Sequence, residues 1–334
     1  MRFISEYIEQ LPLANSPRVF GLHANAEVGY SSGAARALWA RLVLLQPVTS
    51  EAPGAISRES MIDAIAGDIL DRLPPPTDVR RVRRTHEMHV TPTLVVLLQE
   101  LERFNRLIAK MHSTLTLLRK ALAGEIGMDS ALDDVASSLY NGQLPASWRA
   151  LAPETCKGLG SWMDHFSERT KQYTDWSEME EPMVMWLAGL HVPGSYLSAR
   201  AQAASRAHAW PLDRAAHSTS ITDARHADDI EERVATGCYV RGLYLEGARW
   251  DAAARCLRPS HPKVLVTELP IMHVLPVEAH KLKLQNTLHT PVYVTSSRRN
   301  AMGQGLVFEA DLATTEHYSH WVLQAVCLIM NTDD

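Results

Sequence analysis

Fifteen histidines and four cysteines are the residues of this 334-residue chain best suited to catalysis or metal binding. His86-Glu87-Met88-His89 sets two imidazoles three residues apart, a spacing that would place both on one face of a helix. It lies beside Pro92 in a stretch with no helical patterning, so solvent-exposed side chains are expected there rather than a metal site. His226-Ala227-Asp228-Asp229 reads the same way. Cys156, Cys238, Cys256 and Cys327 are far apart and form no CxxC pair, which argues against structural zinc and a disulfide framework and favours a reducing compartment. A phosphate cradle of the GxxxxGK[ST] type needs a Gly-Lys step, and the sequence has none. Gly158-Leu159-Gly160-Ser161 lacks the third glycine of a dinucleotide fingerprint and any preceding strand. No catalytic residue, cofactor-binding residue or metal ligand is therefore assigned.

Two further groups are read as structural. Arg80-Arg81-Val82-Arg83-Arg84 could receive phosphate or an acidic protein surface. Without interleaved aromatics of the kind single-strand binders use, the expectation is a solvated linker, or a few Arg pairing with neighbouring carboxylates. Eight tryptophans, scattered through expected helices and strands, are read as core and inter-domain packing.

Lys+Arg total 33 and Asp+Glu 38, a net charge of −5, too mild to draw the protein onto nucleic acid or an anionic membrane. At 46 % hydrophobic and 21 % charged residues, a sizeable core can be buried. No apolar run approaches the roughly 20 residues of a membrane span. Met1-Arg2-Phe3-Ile4-Ser5-Glu6 has no apolar signal-peptide core, so a soluble intracellular protein is expected.

Helical spacing predicts helices over 34–46 and 57–73, the second stopped by Pro74-Pro75-Pro76. The strongest is 93–124. There Leu94, Leu97, Leu101, Phe104, Leu107, Ile108, Met111, Leu115 and Leu118 share one broad face, with Glu100, Glu102, Arg103, Arg106 and Lys110 placed mostly elsewhere. Helices over 130–140, 154–176 and 195–209 complete a bundle. Beyond about 210 the sequence turns to short Val-, Tyr- and Thr-rich runs at 238–245, 263–273, 291–297, 306–312 and 321–329, read as strands. In 306–312, Glu309 and Asp311 fall on one face, with Leu306, Phe308 and Leu312 on the other. The fold class is α+β, an N-terminal helical bundle followed by a small antiparallel β-barrel. The expected division is 1–75 helical, 76–92 linker, 93–230 helical bundle and 231–334 a six-stranded barrel.

Five ordered segments resemble the C-terminal region of dynein heavy chains. They are Pro17-Arg18-Val19-Phe20-Gly21-Leu22-His23-Ala24-Asn25-Ala26-Glu27; Leu98-Gln99-Glu100-Leu101-Glu102-Arg103-Phe104-Asn105-Arg106-Leu107; Leu144-Pro145-Ala146-Ser147-Trp148 with Trp162, Arg169 and Trp176 after it; Gly242-Leu243-Tyr244-Leu245-Glu246-Gly247-Ala248-Arg249-Trp250-Asp251; and Pro291-Val292-Tyr293-Val294-Thr295. The resemblance spans essentially the whole sequence, and Phe20 to Asn25 look more like the axonemal than the cytoplasmic kind. Thr290 stands where the family usually has Cys.

The resemblance implies a fragment of an ATP-driven microtubule motor. Residues 1–75 would be the small helical part of the sixth AAA+ module. The rest would be the bundle-and-barrel domain that lies across the ring, a non-catalytic brace with ATP and Mg bound elsewhere in the parent polypeptide. Phe20, Gly21, His23, Asn25, Arg103, Phe104, Asn105, Trp148, Trp162, Arg169, Trp176, Gly242, Glu246, Gly247 and Trp250 are then structural signature positions. Implied partners are the ring modules of the same polypeptide and, through it, dynein complex subunits and microtubules, in the cytoskeleton of a cilium or flagellum. The alternative is a free-standing β-barrel binding module on a helical scaffold, which a deep pocket in the barrel would favour.

Overall fold

Helix α1 (Ala24–Leu44) follows a 3-10 turn at Pro17–Phe20 and opens the larger elements of the computed structural model, which describes residues 4, 8–10, 17–22, 24–44, 57–85, 90–282, 286–298 and 305–332. Helix α2 (Arg58–Arg72) starts at Ser57, whose hydroxyl accepts from the Ser60 N–H at 3.1 Å, and it ends before the proline run. Residues 76–92 were expected to be a linker, yet they contain a seven-residue helix, α3 (Val79–Thr85). Asp78 starts it by accepting from the N–H groups of Arg80 and Arg81, and Val82 is its one buried side chain.

Helix α4 (Pro92–Leu122) is the longest described element at 31 residues, as the apolar periodicity requires. Thr91 caps it, Pro92 occupies its first turn, and Gly124 leaves it at φ 76. Leu101, Phe104, Ile108 and Leu115 are buried, together with Trp162. Around α4 pack α5 (Ser130–Tyr140), α6 (Ala146–Arg149), α7 (Leu159–Glu178) and α8 (Pro193–His208). Helix α2 packs on α4 and α5, so Ile62, Ala66 and Ile69 share one core with the bundle.

The strands are β1 (Val184–Trp186), β2 (Ala215–Ile221), β3 (Cys238–Arg241), β4 (Tyr244–Glu246), β5 (Ala248–Asp251), β6 (Cys256–Pro259), β7 (Val266–Glu268), β8 (Met272–Glu278), β9 (Thr287–Thr295), β10 (Leu306–Ala313) and β11 (Cys327–Asn331). They form a four-stranded sheet β1-β3-β8-β2, a five-stranded sheet β10-β9-β11-β4-β7 and a hairpin β5-β6. The fold is α+β, but its described strands do not close into the single antiparallel barrel expected. β1–β3 and β9–β11 are parallel pairs, and β1 and β2 come from a stretch read as helical. At the seam where β2 meets β10, a side chain replaces the backbone ladder. Thr219 Oγ1 accepts from Asp311 N at 2.6 Å and donates to Asp311 O at 3.2 Å.

Two strand readings change for stated reasons. A register slip between Leu306 and Phe308 leaves Leu306 exposed, and the seam buries Asp311 on what looked like the solvent face. Trp321 belongs to a short helix, α9 (Tyr318–Leu323), rather than to a strand. It is fully buried, with Nε1 donating to Thr314 Oγ1 at 2.7 Å, and Ala325 at φ 54 turns the backbone into β11.

Gly242 (φ 74) and Gly247 (φ 80) mark the reversals flanking β4. At Gly247 a Cβ would also collide with the Gln324 carbonyl oxygen and the backbone of Val326, whereas at Gly142 (φ 65) it would meet nothing. Gly247→Ala should therefore cost more than about 1 kcal/mol, and clearly more than Gly142→Ala. Urea unfolding of the two variants checks this, and equal losses would show that the backbone crowding is not felt.

Candidate functional site

The polar groups that could do chemistry converge where α4, α7 and the start of α8 meet. Glu100 lies on α4 and was expected on its solvated side, yet only 1 % of it is exposed. Its carboxylate accepts from Tyr173 Oη (2.8 Å), His191 N (2.5 Å), Val192 N (3.1 Å) and Arg103 Nη1 (3.1 Å). Val192 is the N-cap of α8, so the carboxylate supplies the negative charge and acceptors that a helix start lacks.

Next to it, one face of α7 receives β1 and the 3-10 turn Leu187–Gly189. Gln172 pairs both ways with the Trp186 backbone, accepting at 3.0 Å and donating at 3.2 Å. Arg169 donates to Gly189 O (2.7 Å) and Ala188 O (3.2 Å), while its Nη1 has no protein partner. The Trp186 ring lies 5.8 Å from the guanidinium carbons of both Arg169 and Arg241, and the His165 ring meets it edge-on at 5.0 Å. A Cβ on Gly242 would stand 2.8 Å from Trp186 Cδ1, so that glycine is required by packing as well as by φ.

Burial governs the protonation states. It pushes His165 down to about 4, with Lys157 and Arg169 adding to the shift, and it lowers His191, His217 and His273. It raises Tyr173 well above the ordinary phenol range, with Glu100 adding to it, and pushes the Cys238 and Cys327 thiols up to about 12. Such thiols stay protonated and are not nucleophiles. No group of three or more His, Cys, Asp or Glu among the described residues is placed to hold a metal. Gly29-Tyr30-Ser31-Ser32-Gly33 has the spelling of a nucleophile elbow, but it lies inside α1 rather than at a strand-to-helix turn.

A second junction ties α1 to the sheets. The Asn25 amide donates to Ser260 Oγ (3.1 Å), His261 O (3.1 Å) and Val264 O (3.0 Å), and its oxygen accepts from Lys263 N (2.9 Å). Beside it, a cavity of about 950 Å³ separates α1 from β4, β7 and β11. Its wall includes Glu246, which pairs with Arg298 at 3.1 Å, and Gly247.

Among the signature positions, the Phe20 side chain and His23 lie outside the described residues, as does His86-Glu87-Met88-His89. Gly21 sits at φ 71. Phe104, Phe166, Trp162 and Trp148 form a continuous aromatic file, with ring centroids 5.1, 5.5 and 6.3 Å apart, and Trp148 Nε1 donates to Thr114. Arg103 and Arg169 both border the Glu100 node, and Trp176 packs edge-on to Tyr196 at 5.9 Å. Asn105 holds the segment before α3, accepting from Thr77 N at 2.9 Å and donating to Thr77 O at 2.7 Å. Asn25, Glu246 and Gly247 meet at the cavity. Trp250 stands apart in β5 and is half-buried, less covered than expected. Sequence reasoning passed over Glu100, Gln172 and Tyr173. The spacing 169, 172 and 173, three polar side chains on one helical face, was the available signal.

These polar nodes join helix to helix and helix to sheet through buried hydrogen bonds, with Arg169 Nη1 left unpaired. The family model for the C-terminal domain of the dynein heavy chain matches residues 33–330, and the protein belongs to that family. It is 56 % identical to human dynein axonemal heavy chain 10 over 328 residues, which are 98 % of this sequence and 7 % of that protein. Over 327 residues (98 % of this sequence, 7 % of the relative) it is 53 % identical to the dynein-1-alpha heavy chain of the flagellar inner arm I1 complex of Chlamydomonas reinhardtii. It is 34 % identical to the flagellar outer arm dynein beta chain of the same alga over 333 residues (99 % and 7 %). These 334 residues thus span about 7 % of the length of these relatives and are similar to a C-terminal region of axonemal heavy chains.

Removing the Glu100 carboxylate leaves buried donors unpaired, so Glu100→Ala should cost about 3–5 kcal/mol and Glu100→Gln less, measured by urea unfolding. Loss of under about 1 kcal/mol in the alanine variant would mean that water replaces the carboxylate freely.

The histidines set a pH dependence. An unfolded His takes up a proton near pH 6.5. Folded His165 refuses it until about pH 4, so stability falls as pH drops through that window. Unfolding midpoints should decline from pH 7 to pH 5, with a shallower slope in His165→Gln. An identical slope in the variant would rule out His165 as a contributor.

Proposed function

We propose that this protein is the C-terminal structural and regulatory segment of an axonemal dynein heavy chain, working in a cilium or flagellum. It braces the AAA+ ring of the motor and takes no part in the chemistry of ATP hydrolysis, which belongs to modules elsewhere in the parent. The supporting observation is an uncovered apolar stripe on α1. Val28, Leu38, Trp39 and Leu42 fall within an arc of about 100° on the helix. Leu38, Trp39 and Leu42 are 58, 67 and 50 % exposed, and no described residue covers them. Such a face on a helix already pinned by Asn25 needs a neighbouring surface, and the remaining length of the heavy chain is the natural source.

Leu38→Asp with Trp39→Asp should leave the stability of the 334-residue segment unchanged, since both side chains are exposed. In the full heavy chain the same pair should slow microtubule gliding several-fold while basal ATPase persists. Unaltered gliding would overturn the bracing role. Calorimetric titration of the segment with Mg·ATP at physiological salt should show no saturable micromolar binding, because it has no Gly-Lys step to build a phosphate loop.

A further inference from the structure

Helix α3 carries four arginines in a protein whose net charge is −5. At about 100° per residue, positions 80, 81, 83 and 84 fill an arc of about 160° whose centre is opposite position 82. Val82 is the buried residue, 7 % exposed, so the four guanidiniums fan outward and all are exposed. None makes an ion pair with a described carboxylate. The nearest acid in sequence, Asp78, uses Oδ1 for the N–H groups of Arg80 and Arg81. Like charges three and four residues apart repel, and a seven-residue helix has little stability of its own. What holds it is the Val82 contact and the reciprocal Thr77–Asn105 pair on α4. The fold therefore keeps a repulsive cluster fixed and presented to the outside.

We propose that this fan docks a carboxylate-rich surface of the same heavy chain, outside these 334 residues. The inference rests on the reading that the protein is a segment of a heavy chain, of which it covers about 7 %. All four basic residues are Arg and none is Lys, which suits two-pronged pairing with carboxylates. Positions 77–85 hold no aromatic side chain on which a nucleic-acid base could stack. The only buried apolar side chain of α3 faces the bundle, so no apolar face is left to enter a membrane surface.

The test uses the full heavy chain with Arg80→Lys, Arg81→Lys, Arg83→Lys and Arg84→Lys together, which keeps the charge and supplies primary amines. A water-soluble carbodiimide activates a carboxyl within reach, the lysine Nζ attacks it, an amide forms and the carbodiimide leaves as its urea. Mass spectrometry should find amides from positions 80–84 to Asp or Glu of the same polypeptide outside this segment. Their yield should fall about tenfold between about 0.05 M and 0.5 M salt, as screened ion pairs must. The same protein carries a photoreactive benzoylphenylalanine in place of Trp39. If the Trp39 probe links to the remainder of the heavy chain while the lysines link only within this segment, only to another polypeptide or not at all, the docking inference falls and the bracing role stands. If neither probe links outside the segment, both fall.

Discussion

One buried carboxylate organises the junction on which the rest of the molecule is built. Glu100 ties the central helix to α7 through Tyr173 and to α8 through the N–H groups of His191 and Val192. That placement fixes the turn 187–192, and the turn fixes the direction in which β1 enters its sheet. A buried carboxylate accepting from four donors is held firmly in place, because each bond left unmade would strand a buried polar group. Helix packing alone would leave α7 and α8 free to slide along α4. The directional bonds of Glu100 select one register.

Trp186 extends the same logic from bundle to sheet. Its backbone is held by Gln172, its ring lies among Arg169, Arg241 and His165, and glycines at 189 and 242 leave the room it occupies. The Gly242 of the GLxLEGAxW stretch is thus explained by a residue far upstream in the sequence. Asn25 performs the corresponding task for α1, with four hydrogen bonds spanning 235 to 239 residues of sequence. The parts are joined by single polar side chains set into apolar surroundings, each committing one element to one position.

The long helices were legible because their signals are local. The face of 93–124 repeats over many turns, and Thr91, Pro92 and Gly124 punctuate it. The positive φ of Gly242 and Gly247 could likewise be read from type and spacing. The sheets were less legible because strand partners are chosen at long range. Val184–Trp186 is too short to show alternation, and only its pairing with Cys238–Arg241 makes it a strand. Asp311 looks like a surface residue until Thr219 arrives from another sheet. Glu100 was misplaced for the same reason. Three of its four donors lie 73 to 92 residues away, and nothing near it in sequence says that they will converge on it.

The position of β11 has a consequence for synthesis. In the order β10-β9-β11-β4-β7 the strand latest in sequence is the central one, parallel to β9 and antiparallel to β4. Until residues 327–331 leave the ribosome, β9–β10 and β4–β7 are two separate hairpin-like halves, each with an open edge of unpaired N–H and C=O groups. A message that stops short of Cys327 therefore yields a product with two adhesive edges instead of a slightly shorter sheet. The arrangement leaves a truncated product exposed to chaperones and proteases rather than quietly folded.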